Sequence, residues 1–147
     1  MSRSAIKPKH VVGVDGCRGG WFAVASTGDG TLSAARYDDI TSLWSAHGSA
    51  SFILIDIPIG LVDGPGHRQA DIEARRVLGP QRNRVFWPPC RAALAAADHA
   101  DATNINRGVT GLGLSIQAWN ITAKIREVDE LMRTAPPARR VIREVPP

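Results

Sequence analysis

Cysteine is scarce. Its two copies, Cys17 and Cys90, stand far apart with no CxxC or Cys/His ligand spacing, which excludes an obvious zinc site and a disulfide framework. A reduced, cytoplasmic protein fits that usage. Long apolar runs are lacking too: no stretch approaches the roughly eighteen residues of a membrane span, and MSRSAIKPKH has no apolar signal core. No membrane partner is expected. Internal repeats and low-complexity segments are absent, and the histidines, His10, His47, His67 and His99, are too scattered to suggest chemistry.

What is present is an ordinary globular composition, 44% hydrophobic and 22% charged over 147 residues. That length suits one domain, residues 1–147 with a tail over 1–9, able to bury a core without staples. The net charge of +4 comes largely from the ends, where Arg3, Lys7, Lys9, Arg139, Arg140 and Arg143 lie. An anionic partner such as nucleic acid suits that charge, although basic ends also serve simply as solubilising tails.

HVVGVDG reads as a short strand, CRGG as a tight turn, and WFAVAST and TLSAARY as two further strands of an antiparallel meander. DDITSLWSAHG has an acidic start, apolar residues at helical spacing and a closing glycine, the marks of a helix. SFILIDIPIGL suits a strand buried on both faces. Further along, HRQADIEARRVLG reads as a helix and RNRVFWPPCRAAL as a loop entering another. AADHADATNINRG reads as a short helix and turn, and GLGLSIQAWNITAKIREVDELMR as one long helix, with VIREV as a final strand. This order predicts an α/β fold with a mixed sheet.

Two of these strands end in an aspartate, Asp15 and Asp56, and Glu144 stands at the end of a third. Ligands of open α/β sheets sit beyond strand ends, so neighbouring strands can bring such residues together. Carboxylates held close repel unless a cation neutralises them, and hard oxygen donors select magnesium or manganese. The glycines around Asp15 keep the backbone open to a large anionic ligand; the bland alternative is that they serve the turn and the aspartates cap it.

The segments VGVDGCRGGW, LIDIPIGL, ADIEARRVLG with RNRVFWPPCRAAL, GLSIQAWNITAKIREVDELM and VIREV resemble successive motifs of the DUF429 family, predicted nucleases with a ribonuclease H-like fold. The likeness runs from Val11 to Val145. It implies a ribonuclease H-like sheet whose first three strands are antiparallel and whose fourth lies beside the first, with flanking helices. Asp15, Asp56 and Glu144 fall on the family's acidic positions, which implies catalytic carboxylates that ligate magnesium or manganese. The resemblance further implies substrate-binding roles for Arg75, Arg76, Arg84, Gln117 and Lys124, with Glu127 on another recurring position. Asp129, two residues beyond Glu127, ranks below it as a ligand or as a partner for Lys124. Asp71 reads as a cap or a partner of Arg75, and Trp87 with Phe86 as a loop anchor before a base-stacking platform.

The family's EVHPE reads EVPP here, where the sequence stops. The expectation is therefore a shortened chain without the final helices, whose uncovered sheet face invites self-association. Three functions compete: a two-metal nuclease weakened by that loss, a non-catalytic nucleic-acid-binding module, and a phosphotransferase of the actin and sugar-kinase type. The last draws on the aspartate and glycines after the first strand.

Overall fold

The computed structural model describes residues 9–145, so Arg3 and Lys7 lie outside the described residues. Contacts divide these residues into two units, one of 9–56 with Leu131–Val145 and one of Ile57–Glu130. Among them no helix is long and apolar enough to cross a membrane.

The first unit carries a five-stranded mixed sheet in the order β3-β2-β1-β4-β5. Its strands are β1 (Val11–Cys17), β2 (Gly20–Ser26), β3 (Leu32–Tyr37), β4 (Phe52–Ile55) and β5 (Ile142–Glu144). β1 pairs antiparallel with β2 and parallel with β4. β2 pairs antiparallel with β3, and β4 parallel with β5. The β1 to β2 reversal uses Gly19 at φ 71, a conformation that glycine adopts without steric cost. Gly20 has a different reason: a Cβ there would lie 2.2 Å from the carbonyl oxygen of Tyr37. The turn and the strand pairing therefore account for both.

Strand side chains alternate between faces, and the sequence uses this to make one dry face. Val12, Val14, Trp21, Ala23, Ala25, Ile53, Ile55 and Ile142 share it and are buried. α1 (Ile40–His47) packs on β2 and β3, contributing buried Ile40 and Leu43, and α6 (Ala138–Val141) packs on β5. Asp39 caps α1, its Oδ1 accepting the Ser42 amide at 2.7 Å. At the other end a Cβ on Gly48 would press the Trp44 carbonyl at 2.9 Å. The opposite sheet face presents Val11, Gly13 and Asp15 of β1, Phe22 and Val24 of β2, and Phe52 and Leu54 of β4. Phe22 and Val24 are exposed, and the space above Gly13 is open.

The second unit is helical. It holds α2 (Gln69–Leu78), 3-10 turns at Gly79–Arg84 and Arg91–Ala95, α3 (His99–Thr110), α4 (Ile116–Asn120) and most of α5 (Thr122–Thr134). Its core joins Cys90, Ala93, Ala96, Ala102, Leu114 and Ala118, with Phe86 and Trp119 packed against them. Buried Asn106 ties the surrounding loops together, accepting the Cys90 amide and donating to the Leu112 carbonyl, each at 2.8 Å. The segment expected as one long helix is two. Ile121, at φ −105 and ψ 5, separates α4 from α5, and the Thr122 hydroxyl donates back to the Ala118 carbonyl at 2.9 Å, satisfying backbone at the break. Residues 99–110 form a full helix of 12 residues, longer than the short helix expected there.

Candidate functional site

β1 and β4 run parallel with Val14 opposite Ile55, so Asp15 and Asp56 occupy the next position on each, at the same end of the sheet. Alternation turns both away from the buried face, and both are exposed. Neither carboxylate has a hydrogen bond or ion pair among the described residues. Glu144 is placed differently. It lies opposite Ile55 in the β4 and β5 register and so belongs to the Ile55 face, and the ladder closes just beyond it with the Val145 amide donating to the Ile55 carbonyl at 2.9 Å.

Asp56 still feels the other two acids. Partial burial, then the charge of Asp15 and then that of Glu144, pushes the Asp56 carboxyl above the usual aspartate value. Among the described residues no three His, Cys, Asp or Glu side chains are grouped closely enough to hold a metal ion. The register supplies the reason, since strand alternation separates Glu144 from the two aspartates. The donor chemistry of the pair itself fits a hard divalent cation: two carboxylates at one sheet end, next to open backbone at Gly13.

In the second unit, Arg75, Arg84 and Gln117 line one cleft of about 410 Å³, together with Asn83, Phe86 and Trp87. Arg76 does not join them; it pairs with Glu73 at 2.7 Å on an exposed helix face. Lys124 lies 3.8 Å from Glu127, one helical turn away. Asp129 is the partner of Arg91, not of Lys124: it accepts the Arg91 Nε at 3.1 Å, while an Arg91 terminal nitrogen reaches Asp63 at 2.5 Å. Asp71 pairs with Arg68 rather than with Arg75, in a buried two-point contact at 2.6 and 2.5 Å. Trp87 is already held, with His67 stacked on it at 3.5 Å and the Arg75 guanidinium 4.5 Å from its ring centre. Burial lowers the His67 pKa, which favours the neutral ring in that stack.

Sequence reasoning passed over Arg68 and Arg91. The first had a local signal, an acid three residues on, where helical side chains meet. The second had none, because its carboxylate lies 38 residues away.

The profile of one protein family matches the chain over residues 13–147, which includes all of these acids. The chain belongs to the DUF429 family. That family is described as a protein of unknown function. No curated protein and no solved structure matches the chain. For this DUF429 chain, then, the chemistry of Asp15 and Asp56 has to be argued from their surroundings.

Proposed function

We propose that this DUF429 chain is a metal-dependent nuclease of the ribonuclease H-like class, with Asp15 and Asp56 holding magnesium or manganese and Glu144 acting on the pair from the neighbouring strand. One observation carries the reading. Two coupled carboxylates stand side by side at the ends of parallel strands, on an open sheet face, without a cationic partner among the described residues. A structural carboxylate is normally paired or caps a turn, and an uncompensated couple costs stability unless a cation offsets it. The sheet order also supports the class, because its antiparallel β1, β2 and β3 with β4 beside β1 are what the family resemblance implies.

Bound there, the cation would polarise a phosphodiester and lower the pKa of water. The chain itself supplies position. β1 and β4 fix the spacing of the two carboxylates, and Gly13 leaves room for a bulky polyanion. Calorimetric titration with magnesium and with manganese tests the site, using the parent, Asp15→Asn and Asp56→Asn, each checked for folding by circular dichroism. The expected result is binding by the parent and loss in both folded variants. A folded parent that binds neither ion overturns the proposal.

The register of Glu144 favours a second reading. With two acids on one face and the third on the other, the carboxylate set is thinner than two-metal hydrolysis demands. A nucleic-acid-binding module without cleavage would then bind DNA or RNA in a strongly salt-dependent way and leave it intact when magnesium is added.

A further inference from the structure

The cleft of the second unit has a chemistry separate from the carboxylates. Its volume, about 410 Å³, is that of a pocket for a small organic ligand. Two arginines and no acid line it, so it favours an anion. The arginines differ in how they are used. Arg75 is committed to the protein: it donates to the carbonyls of Arg82 and Val85, reaches Asn83 Oδ1 at 3.4 Å and lies over Trp87. It ties α2 to the segment 82–87 and thereby shapes one wall of the cleft.

Arg84 is carried on that same segment and is exposed, and its guanidinium has no hydrogen bond or ion pair among the described residues. The Gln117 side-chain amide is likewise exposed and unpartnered among them. Asn83 faces the cleft with its oxygen engaged by Arg75, which leaves its amide hydrogens to donate. Phe86, packed on the core, and Trp87, already stacked by His67 and covered by Arg75, add what aromatic surface they leave open to the cleft. A planar guanidinium matches phosphate oxygens by paired hydrogen bonds, and side-chain amides suit the mixed donors and acceptors of a base edge.

We propose that this cleft binds a 5′-nucleotide, with Arg84 on the phosphate, Gln117 and Asn83 on the polar edge of the base, and Phe86 and Trp87 beside its apolar surface. Arg75 is a positioning residue that holds the Arg84 segment in place. Three of its residues, Arg75, Arg84 and Gln117, are ones to which the family resemblance gives substrate roles, but the site uses none of the acids proposed to hold the metal and so does not depend on metal binding.

Isothermal titration with AMP, inorganic phosphate and adenosine, all in EDTA, tests it without contribution from a metal. AMP should bind at least about tenfold more tightly than either of its parts, because only the whole molecule uses both charge and wall. Arg84→Gln, with unchanged circular dichroism, should weaken AMP by about tenfold or more, and Gln117→Ala by a smaller factor. Arg75→Lys should lower Tm as well as AMP affinity, because Lys cannot replace its fork of donors. Equal affinity for phosphate and AMP, no AMP binding by the folded parent, or an Arg84→Gln variant as tight as the parent would each overturn the site. A magnesium-binding result of either sign leaves this outcome unchanged, so the two proposals fail separately.

Discussion

The two units treat their less exposed charges differently. In the helical unit, acids meet bases: Arg68 with Asp71, Arg91 with Asp63 and Asp129, Arg76 with Glu73, and Lys124 with Glu127. In the strand unit Arg36 pairs with Asp38 in solvent, but Asp15 and Asp56 are set beside each other at a sheet end, where partial burial and then the charge of Asp15 raise the Asp56 pKa. The paired groups carry their own structural reason. The unpaired couple is costly for the fold, and this difference directs attention to Asp15 and Asp56 ahead of the more numerous charges elsewhere.

The comparison breaks most readily at Arg68 and Asp71, whose side chains are each only 7% exposed. Removing one member of a buried pair leaves the other charged, desolvated and short of hydrogen bonds, at a cost of about 3–5 kcal/mol. Arg68 keeps its bond to the Ile59 carbonyl at 2.7 Å, which limits the damage without replacing the carboxylate. Asp71→Ala is expected to show that loss in a urea unfolding curve. A change below about 1 kcal/mol would mean that the pair is no stronger than a surface ion pair and would remove the contrast between the units.

Arg91 sharpens the contrast within a single residue. One of its acids, Asp129, is 10% exposed and the other, Asp63, is 71% exposed. Both hydrogen bonds raise the Arg91 pKa, Asp129 first. Asp129→Ala is expected to destabilise by about 2–3 kcal/mol, because a charge-assisted bond in a dry setting is lost. Asp63→Ala should cost about 0–1 kcal/mol, as for other solvated pairs. Unfolding curves of both variants check the ordering, and equal losses would show that solvent reaches both contacts alike.

Much of the strand unit was legible because its signals are local. Asp39 and Gly48 bounded α1, and Gly19 marked a turn whose backbone needs glycine; β4 was misjudged, for the strand expected to be buried on both faces buries Ile53 and Ile55 on one face only and leaves Phe52 exposed on the other. The aspartates at the ends of β1 and β4 could also be read, since a charge after a buried run is visible in a line of letters. Their alignment with Glu144 could not. It depends on the register of β5, which pairs Glu144 with Ile55 and sends it to the other face. The helical unit hid more, because its decisive contacts span distance: Arg91 with Asp129, or Arg75, Arg84 and Gln117 around one cleft. The break at Ile121 was masked by a different effect, a threonine that bonds back along the chain while the apolar residues around it keep helical spacing.

The smallest expected effect is the most direct check on whether Asp56 costs the fold stability. Its carboxyl has a raised pKa, so the native state holds that proton more tightly than the unfolded chain does. Below the ordinary aspartate value of 3.8 both states are protonated and the group favours neither. As pH rises through 3.8 toward the higher native value, the unfolded chain releases its proton first and stability is lost. Above the native value the loss is complete. Asp56→Asn has no proton to release, so it should melt at a higher temperature than the parent at neutral pH, by a few degrees at most, with the gap closing in acid. Magnesium should then act on the parent alone, raising its Tm by mass action and narrowing or reversing the gap. Thermal melts of the two proteins from acid to neutral pH, with and without magnesium, read both effects. A parent at least as stable as the variant at neutral pH without metal would show that Asp56 is no burden on the fold and would remove the physical reason for assigning it a cation.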